Sequence, residues 1–197
     1  DIKPSINFLL RALKNLVNGY YSLDTLIITK TLSSYYKDPE RIAHKVLADR
    51  MAERDPGNKP QVNDRIPFVY IDTSHIKNRR GILQGDKIEH PQFVRDNKLS
   101  PDYEFYITNQ ILKPVSQIFG LCLEELPGFN GDIKEYQSVY NKSINSGKSI
   151  NESIKKMLEA KRKTAANILF RDVLRRLENK RLGNTEITSF FRNSVRK

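Results

Sequence analysis

The 197-residue chain contains one cysteine, no tryptophan, two methionines and three histidines. A lone thiol, Cys122, excludes an internal disulfide and fits a reducing, intracellular setting. His44, His75, His90 and Cys122 are scattered, so the ligand spacing of a structural zinc site is missing. No apolar run approaches the roughly 20 residues a spanning helix needs, which speaks against a membrane partner. A phosphate-cradling glycine loop, a nucleophile elbow and an HExxH helix are all absent. Asp72-Thr73-Ser74 places a single aspartate at a strand end, where a two-metal site needs paired carboxylates. Glu124 and Glu125 are adjacent and would diverge by about 100° on a helix. By itself the chain is expected to catalyse nothing and to hold no metal or other cofactor. Asp1 stands where an initiator Met is expected and no leader-like segment follows, which reads as a fragment or a processed product.

What the chain does have is positive charge. The net charge is +11, with 29% charged and 38% hydrophobic residues, the composition of a globular protein with a polyanionic partner. From Lys155 to Lys197 there are 13 basic and 4 acidic residues, an excess of nine. The preceding 154 residues hold 21 basic and 19 acidic ones, an excess of only two.

Periodicity predicts a mainly α fold with a small β component. Ile6, Leu9, Leu10, Leu13, Leu16 and Val17 make one side of a helix from Pro4 to Val17, stopped by Gly19. Leu23 to Leu32 has the β-branched character of a strand or a strand–helix joint. A second helix is expected from Pro39 to Arg54, with Ile42, Ala43, Val46 and Leu47 inward. Asp55 to Asn58 reads as a turn, and Arg65 to Asp72 as a strand that begins at an edge because of Pro67. Residues 74–100 look irregular, with a short helical turn after His90-Pro91.

The middle of the chain is organised around residues 103–121, with Tyr103, Tyr106, Ile107, Ile111, Leu112, Val115, Ile118 and Phe119 on one helical face. Ser100 is the expected N-cap, Pro101 the first helical position and Gly120 the stop, while Pro114 implies a kink. Breaks follow at 126–131 and 145–148. A long helix is then expected from Ser149 to Leu182, ended by Gly183, with Ile154, Leu158, Ala165, Leu169, Val173 and Leu177 as its apolar stripe.

Lys30, Arg50, Arg54, Lys59, Arg65, Arg79, Arg80 and Lys87 interleave with tyrosines and turns through the first half, as phosphate recognition requires. Surface charges balanced by Asp38, Glu40, Asp49, Glu53 and Asp55 also account for that pattern.

Four blocks, LIITKTL, HKVLADRMAERDPGNKP, NDRIPFVYI and DYEFYITNQILKPVSQIFG, resemble in order and spacing the thumb of a family B DNA polymerase. They cover roughly residues 20 to 120 and are closest in wording to enzymes of large DNA viruses and the eukaryotic delta type. The resemblance implies a mainly helical piece that grips primer–template duplex from its minor-groove side. Lys30, Arg50, Arg54 and Arg65 are its implied DNA contacts, Lys59 adds to them, and the alternative for each is a structural ion pair. Tyr103, Tyr106 and Gln110 also match the family pattern, the tyrosines as packing residues. The family's metal-binding aspartates, nucleotide-binding lysine motif and exonuclease carboxylates are absent, as are the cysteine clusters that close the delta enzyme. The resemblance therefore puts the chemistry and its Mg2+ in a palm outside this chain. It makes palm and other polymerase domains partners, and places the parent in the nucleus or a cytoplasmic viral replication site.

In the tail, Asn184, Ile187, Phe190 and Phe191 resemble the clamp-interaction (PIP) box, with Asn for the usual Gln. One helical turn would gather Ile187, Phe190 and Phe191 as a hydrophobic plug for a sliding clamp. The alternative is a last turn folded against the chain's own core. The expected layout is a thumb domain at 1–148, a long basic helix at 149–183 able to follow duplex, and a clamp-binding tail at 184–197. Two other classes remain open from the residues alone: a free-standing basic DNA-binding or processivity protein without catalysis, and a structural interaction module.

Overall fold

The computed structural model describes residues 1–74 and 82–181. In chain order its main elements are α1 (Lys3–Val17), β1 (Ile28–Thr31), α2 (Ala43–Arg54), β2 (Arg65–Tyr70), β3 (Ile88–Glu89), α3 (Pro91–Asp96) and α4 (Tyr103–Phe105). A π-helical segment (Tyr106–Ile111) leads into α5 (Leu112–Leu121), followed by α6 (Ile133–Asn145) and α7 (Ile150–Arg181). The fold is mainly α with one small antiparallel sheet, as the periodicity predicts. Two compact units emerge: residues 19–106, and residues 1–18 together with those from 107 onward. Gly183 and the end of the long helix lie outside the described residues.

In the unit of residues 19–106, the strand–helix joint is a 3-10 turn at Leu23–Leu26 running into β1. The helix expected from Pro39 is two pieces, because Ile42 is extended (φ −96°) between a 3-10 turn at Pro39–Arg41 and α2. β2 lies between the other two strands in order but begins with one side open, as Pro67 predicts: Arg65 to Phe68 pair with Thr31 to Ile28, and only Val69 and Tyr70 pair with Glu89 and Ile88. Pro67 survives there because only β1 flanks it at that level, so its missing N–H costs no second ladder bond. Leu32, Leu47, Ala48, Ile66, Phe68 and Ile88 form the core between sheet and α2. Tyr106 ties this unit together. Its buried hydroxyl donates to the Leu26 carbonyl at 2.8 Å and accepts from the Tyr70 amide at 2.9 Å. Burial, the main cause, pushes its pKa up to about 12.

The start of the central helix differs from expectation. Asp102, not Ser100, is the N-cap, accepting from Phe105 N at 2.9 Å. Ser100 and Pro101 are drawn to the sheet instead, with Ser100 O accepting from Asp72 N and Pro101 bridged to Ile71. A charged carboxylate beside them takes the capping role.

In the other unit, α7 packs against α5, α6 and α1. Ile6, Leu9, Leu13 and Leu16 of α1 are buried, while Leu10 is exposed. The π segment changes the phase of the central helix. An extra residue in one turn rotates the next turns about the axis, so Ser116, Phe119 and Gly120 are buried, whereas Ile118, expected on that face, is 65% exposed. Pro114 lies within α5, and the carbonyl its ring would crowd belongs to Gln110, in the widened π turn. Gly120 does not stop the helix, which continues to Leu121. A Cβ there would lie 3.2 Å from Arg162 N and 3.3 Å from Arg162 Cα, so glycine permits the close crossing of α5 and α7. α6 was not expected. Asp132 caps it by accepting from Lys134 N, and Gly147 ends it at φ +79° with its amide on Ile144 O. α7 begins with a reciprocal cap between Ser149 and Glu152. Ser153, Ala165, Leu169 and Phe170 are its buried positions, and Ile154 and Leu158 of the expected stripe are exposed.

Gly120→Ala gains about 1 kcal/mol of helix propensity and loses about 1–3 kcal/mol to overpacking. The expected net is a destabilisation of about 1 kcal/mol, read as a lower urea midpoint at unchanged m-value. An unchanged or raised midpoint would show that the two helices have room to spare.

Candidate nucleic-acid interface

The basic residues of the unit 19–106 separate into two groups. Arg50 and Arg54, one turn apart on α2, converge on Glu89, which is only 5% exposed at the end of β3. Arg54 grips it as a fork, Nη1 to Oε1 and Nη2 to Oε2, both at 3.0 Å. Arg50 Nη2 lies 3.6 Å from Oε2, and the His90 amide donates to Oε1 at 2.9 Å. Arg50 also donates to the carbonyls of Gly85 and Ile88, at 2.9 and 2.6 Å. The Arg54 guanidinium stacks 3.7 Å above the Phe93 ring. These contacts fasten the Gln84–Lys87 turn and β3 onto α2.

Of the remaining candidates, Lys30, Lys59 and Arg65 are exposed. Lys30 sits opposite Ile66, so alternation places it on the α2 side of the sheet. There His44 on α2, with its pKa lowered mainly by burial, is lowered further by the Lys30 charge. Arg65 sits opposite Thr31 on the other face and donates to Thr29 Oγ1 at 2.7 Å. The two therefore do not share a surface, although both are exposed at the same end of β1 and β2. Lys59 is exposed after the 3-10 turn Pro56–Asn58, and Lys87 is half-buried in the Gln84–Lys87 turn. Arg79 and Arg80 lie outside the described residues, as do Asn184, Ile187, Phe190 and Phe191.

Asp72 is committed to a turn, its Oδ1 accepting from Ser74 N at 2.7 Å. Among the described residues no three His, Cys, Asp or Glu side chains gather as metal ligands would, and no helix is long and apolar enough to cross a membrane. On the long basic helix α7, Arg175 is 3.6 Å from Asp172 and Arg181 is 3.9 Å from Glu178. Sequence reasoning missed Glu89. Nothing in the sequence singles it out, since Glu89 stands among Asp86, Lys87, Ile88 and His90.

The sequence profile of DNA polymerase family B matches residues 2–122. This chain belongs to DNA polymerase family B. It is 46% identical over 191 residues to the DNA polymerase of Pyramimonas orientalis virus, covering 97% of this chain and 16% of that protein. Against the DNA polymerase of Acanthamoeba polyphaga mimivirus it is 52% identical over 145 residues, 73% of this chain and 8% of the other. The DNA polymerase delta catalytic subunit of Glycine max is 35% identical over 120 residues, 60% of this chain and 11% of that subunit. The family B chain thus spans a small part of the length of its relatives. α6 and α7 lie beyond the profile match and within the longer viral alignment.

Removing the buried carboxylate leaves two guanidinium groups facing each other. The usual cost of breaking a buried pair, about 3–5 kcal/mol, is reduced because solvent reaches both arginines. Glu89→Ala is expected to lower unfolding free energy by about 2 kcal/mol. A loss below about 0.5 kcal/mol in urea titration would mark these contacts as ordinary surface pairs.

Proposed function

We propose that this chain is the thumb region of a DNA-directed DNA polymerase, holding primer–template duplex during replication, with bond formation in other domains of the parent protein. The observation that carries this reading is the family B profile match over residues 2–122, within a chain that aligns almost wholly to 16% of a viral polymerase. Supporting it, Lys30, Lys59 and Arg65 present charge to solvent from a three-stranded sheet and its turns. Charges placed by such a scaffold meet phosphates without reading bases, as copying any template requires. Arg50 and Arg54 serve chiefly to hold that scaffold, through Glu89. No step through a metal is assigned to these residues. The Mg2+ chemistry belongs to the palm, and the parent works inside the cell at its replication site.

The exposed apolar residues Ile118, Leu121, Ile154 and Leu158 fit a surface that the rest of a longer polymerase covers. The tail motif Asn184, Ile187, Phe190 and Phe191 tethers the enzyme to a sliding clamp.

Each phosphate contact removed lowers the slope of log K against log salt by about 0.9. Lys30→Gln, Lys59→Gln and Arg65→Gln are expected to do so one by one, equally on unrelated duplex sequences. Three unchanged slopes would sink the reading. For the tether, a peptide of residues 184–197 should bind a sliding clamp and lose about 2 kcal/mol with Phe190→Ala or Phe191→Ala. Binding unaffected by both changes would refute the tail's role.

A further inference from the structure

α7 carries ten basic and four acidic residues, the larger part of the net charge of its unit. Between α6 and the start of α7 lies an open groove of about 540 Å³. Lys148, Lys155, Lys156 and Lys163 line it, with Glu152 and Glu159 as the only acids on its walls and Val139 and Ala160 as its apolar part.

Each acid has a partner of its own, and Glu152 also faces the charges of Lys148 and Lys156. Glu152 closes the cap with Ser149, accepting from its amide at 3.1 Å and its hydroxyl at 2.9 Å. Those bonds, the hydroxyl's first, hold its pKa low. Glu159 is bound by the Arg162 guanidinium. Lys148 and Lys156 both line the groove, and the Lys148 side chain is the main cause lowering the Lys156 pKa, with Glu152 acting the other way. Like charges in one groove repel at a cost that an anion between them would remove.

Spacing completes the picture. Lys156 and Lys163 are seven residues apart on one face of α7, with Lys155 beside them and Lys148 in the segment just before the helix. At 1.5 Å per residue the stretch from Lys155 to Lys163 runs about 12 Å. A strand of duplex advances about 3.4 Å per phosphate along its axis, so these lysines span roughly three to four phosphates.

We propose that the α6–α7 groove is a second phosphate-binding surface for duplex nucleic acid, carried by Lys148, Lys155, Lys156 and Lys163. It lies outside the family B profile match, and it rests on the reading that the chain holds duplex. The groove takes backbone phosphates of either strand irrespective of sequence.

The test is duplex affinity of the 197-residue chain over a salt series, with Lys148→Gln/Lys156→Gln beside the parent and Lys148→Arg/Lys156→Arg. The glutamine pair should lower the slope by about 1.8, two contacts at about 0.9 each, with the thermal midpoint unchanged. The arginine pair should restore it. An unchanged slope, with Lys30→Gln and Arg65→Gln still lowering theirs, overturns the groove and leaves the duplex reading standing. A parent chain with no salt dependence overturns both. Backbone NMR of residues 148–163 supplies a second readout: duplex should shift these signals, and inorganic pyrophosphate shifting them where duplex does not assigns the groove to a free polyphosphate and overturns the proposal.

Discussion

A carboxylate cut off from water needs cations and N–H groups to replace its hydration shell. Glu89 meets that demand with the Arg54 fork, the Arg50 guanidinium and the His90 amide. Because those arginines belong to α2 and the acid to β3, satisfying the charge fixes the helix to the edge of the sheet. Arg50 extends the clamp to the Gly85 and Ile88 carbonyls, so a segment with little regular structure acquires a defined path. The rest of that unit depends on this: the strand ladder is only two residues long where β3 joins it, too short to hold on backbone bonds alone.

The clamp also divides the basic residues by role. Guanidinium groups spent on a buried acid hold the fold, while cations on the sheet and its turns remain directed at solvent. Point charges position a polyanion only from a rigid support, and the clamp supplies one. The second unit solves its own packing by a different route. Small residues let helices approach, with Gly120 under the Arg162 backbone and Ser153 and Ala165 buried along α7. The faces of α7 turned away from those contacts carry an exposed apolar stripe on one side and a lysine-lined groove on another.

Much of the architecture was legible in local pattern. The apolar repeat of α1, the strand of β2, the break at Gly147 and the start of α7 all come from residue spacing, which acts over one or two turns. Elements whose existence depends on distant partners were not legible. β3 is two residues long and forms only because Val69 and Tyr70 are there to pair with it. α6 has an ordinary cap, but its apolar positions are diluted by polar ones and it is held by contacts such as Tyr136 Oη on Thr164 Oγ1 at 2.8 Å. The burial of Phe119 and exposure of Ile118 turn on one π segment, whose extra residue no periodicity count reveals.

The candidate site shows the same boundary. That this chain is basic, belongs with family B polymerases and offers cations in its first half was settled by residue identity and order, which survive in any conformation. Which cations are available was decided by the fold. Alternation along paired strands put Lys30 and Arg65 on opposite faces, and a single buried acid 35 residues away drew Arg54 inward. Charge is a property of the residue, but its exposure depends on what the folded chain brings beside it.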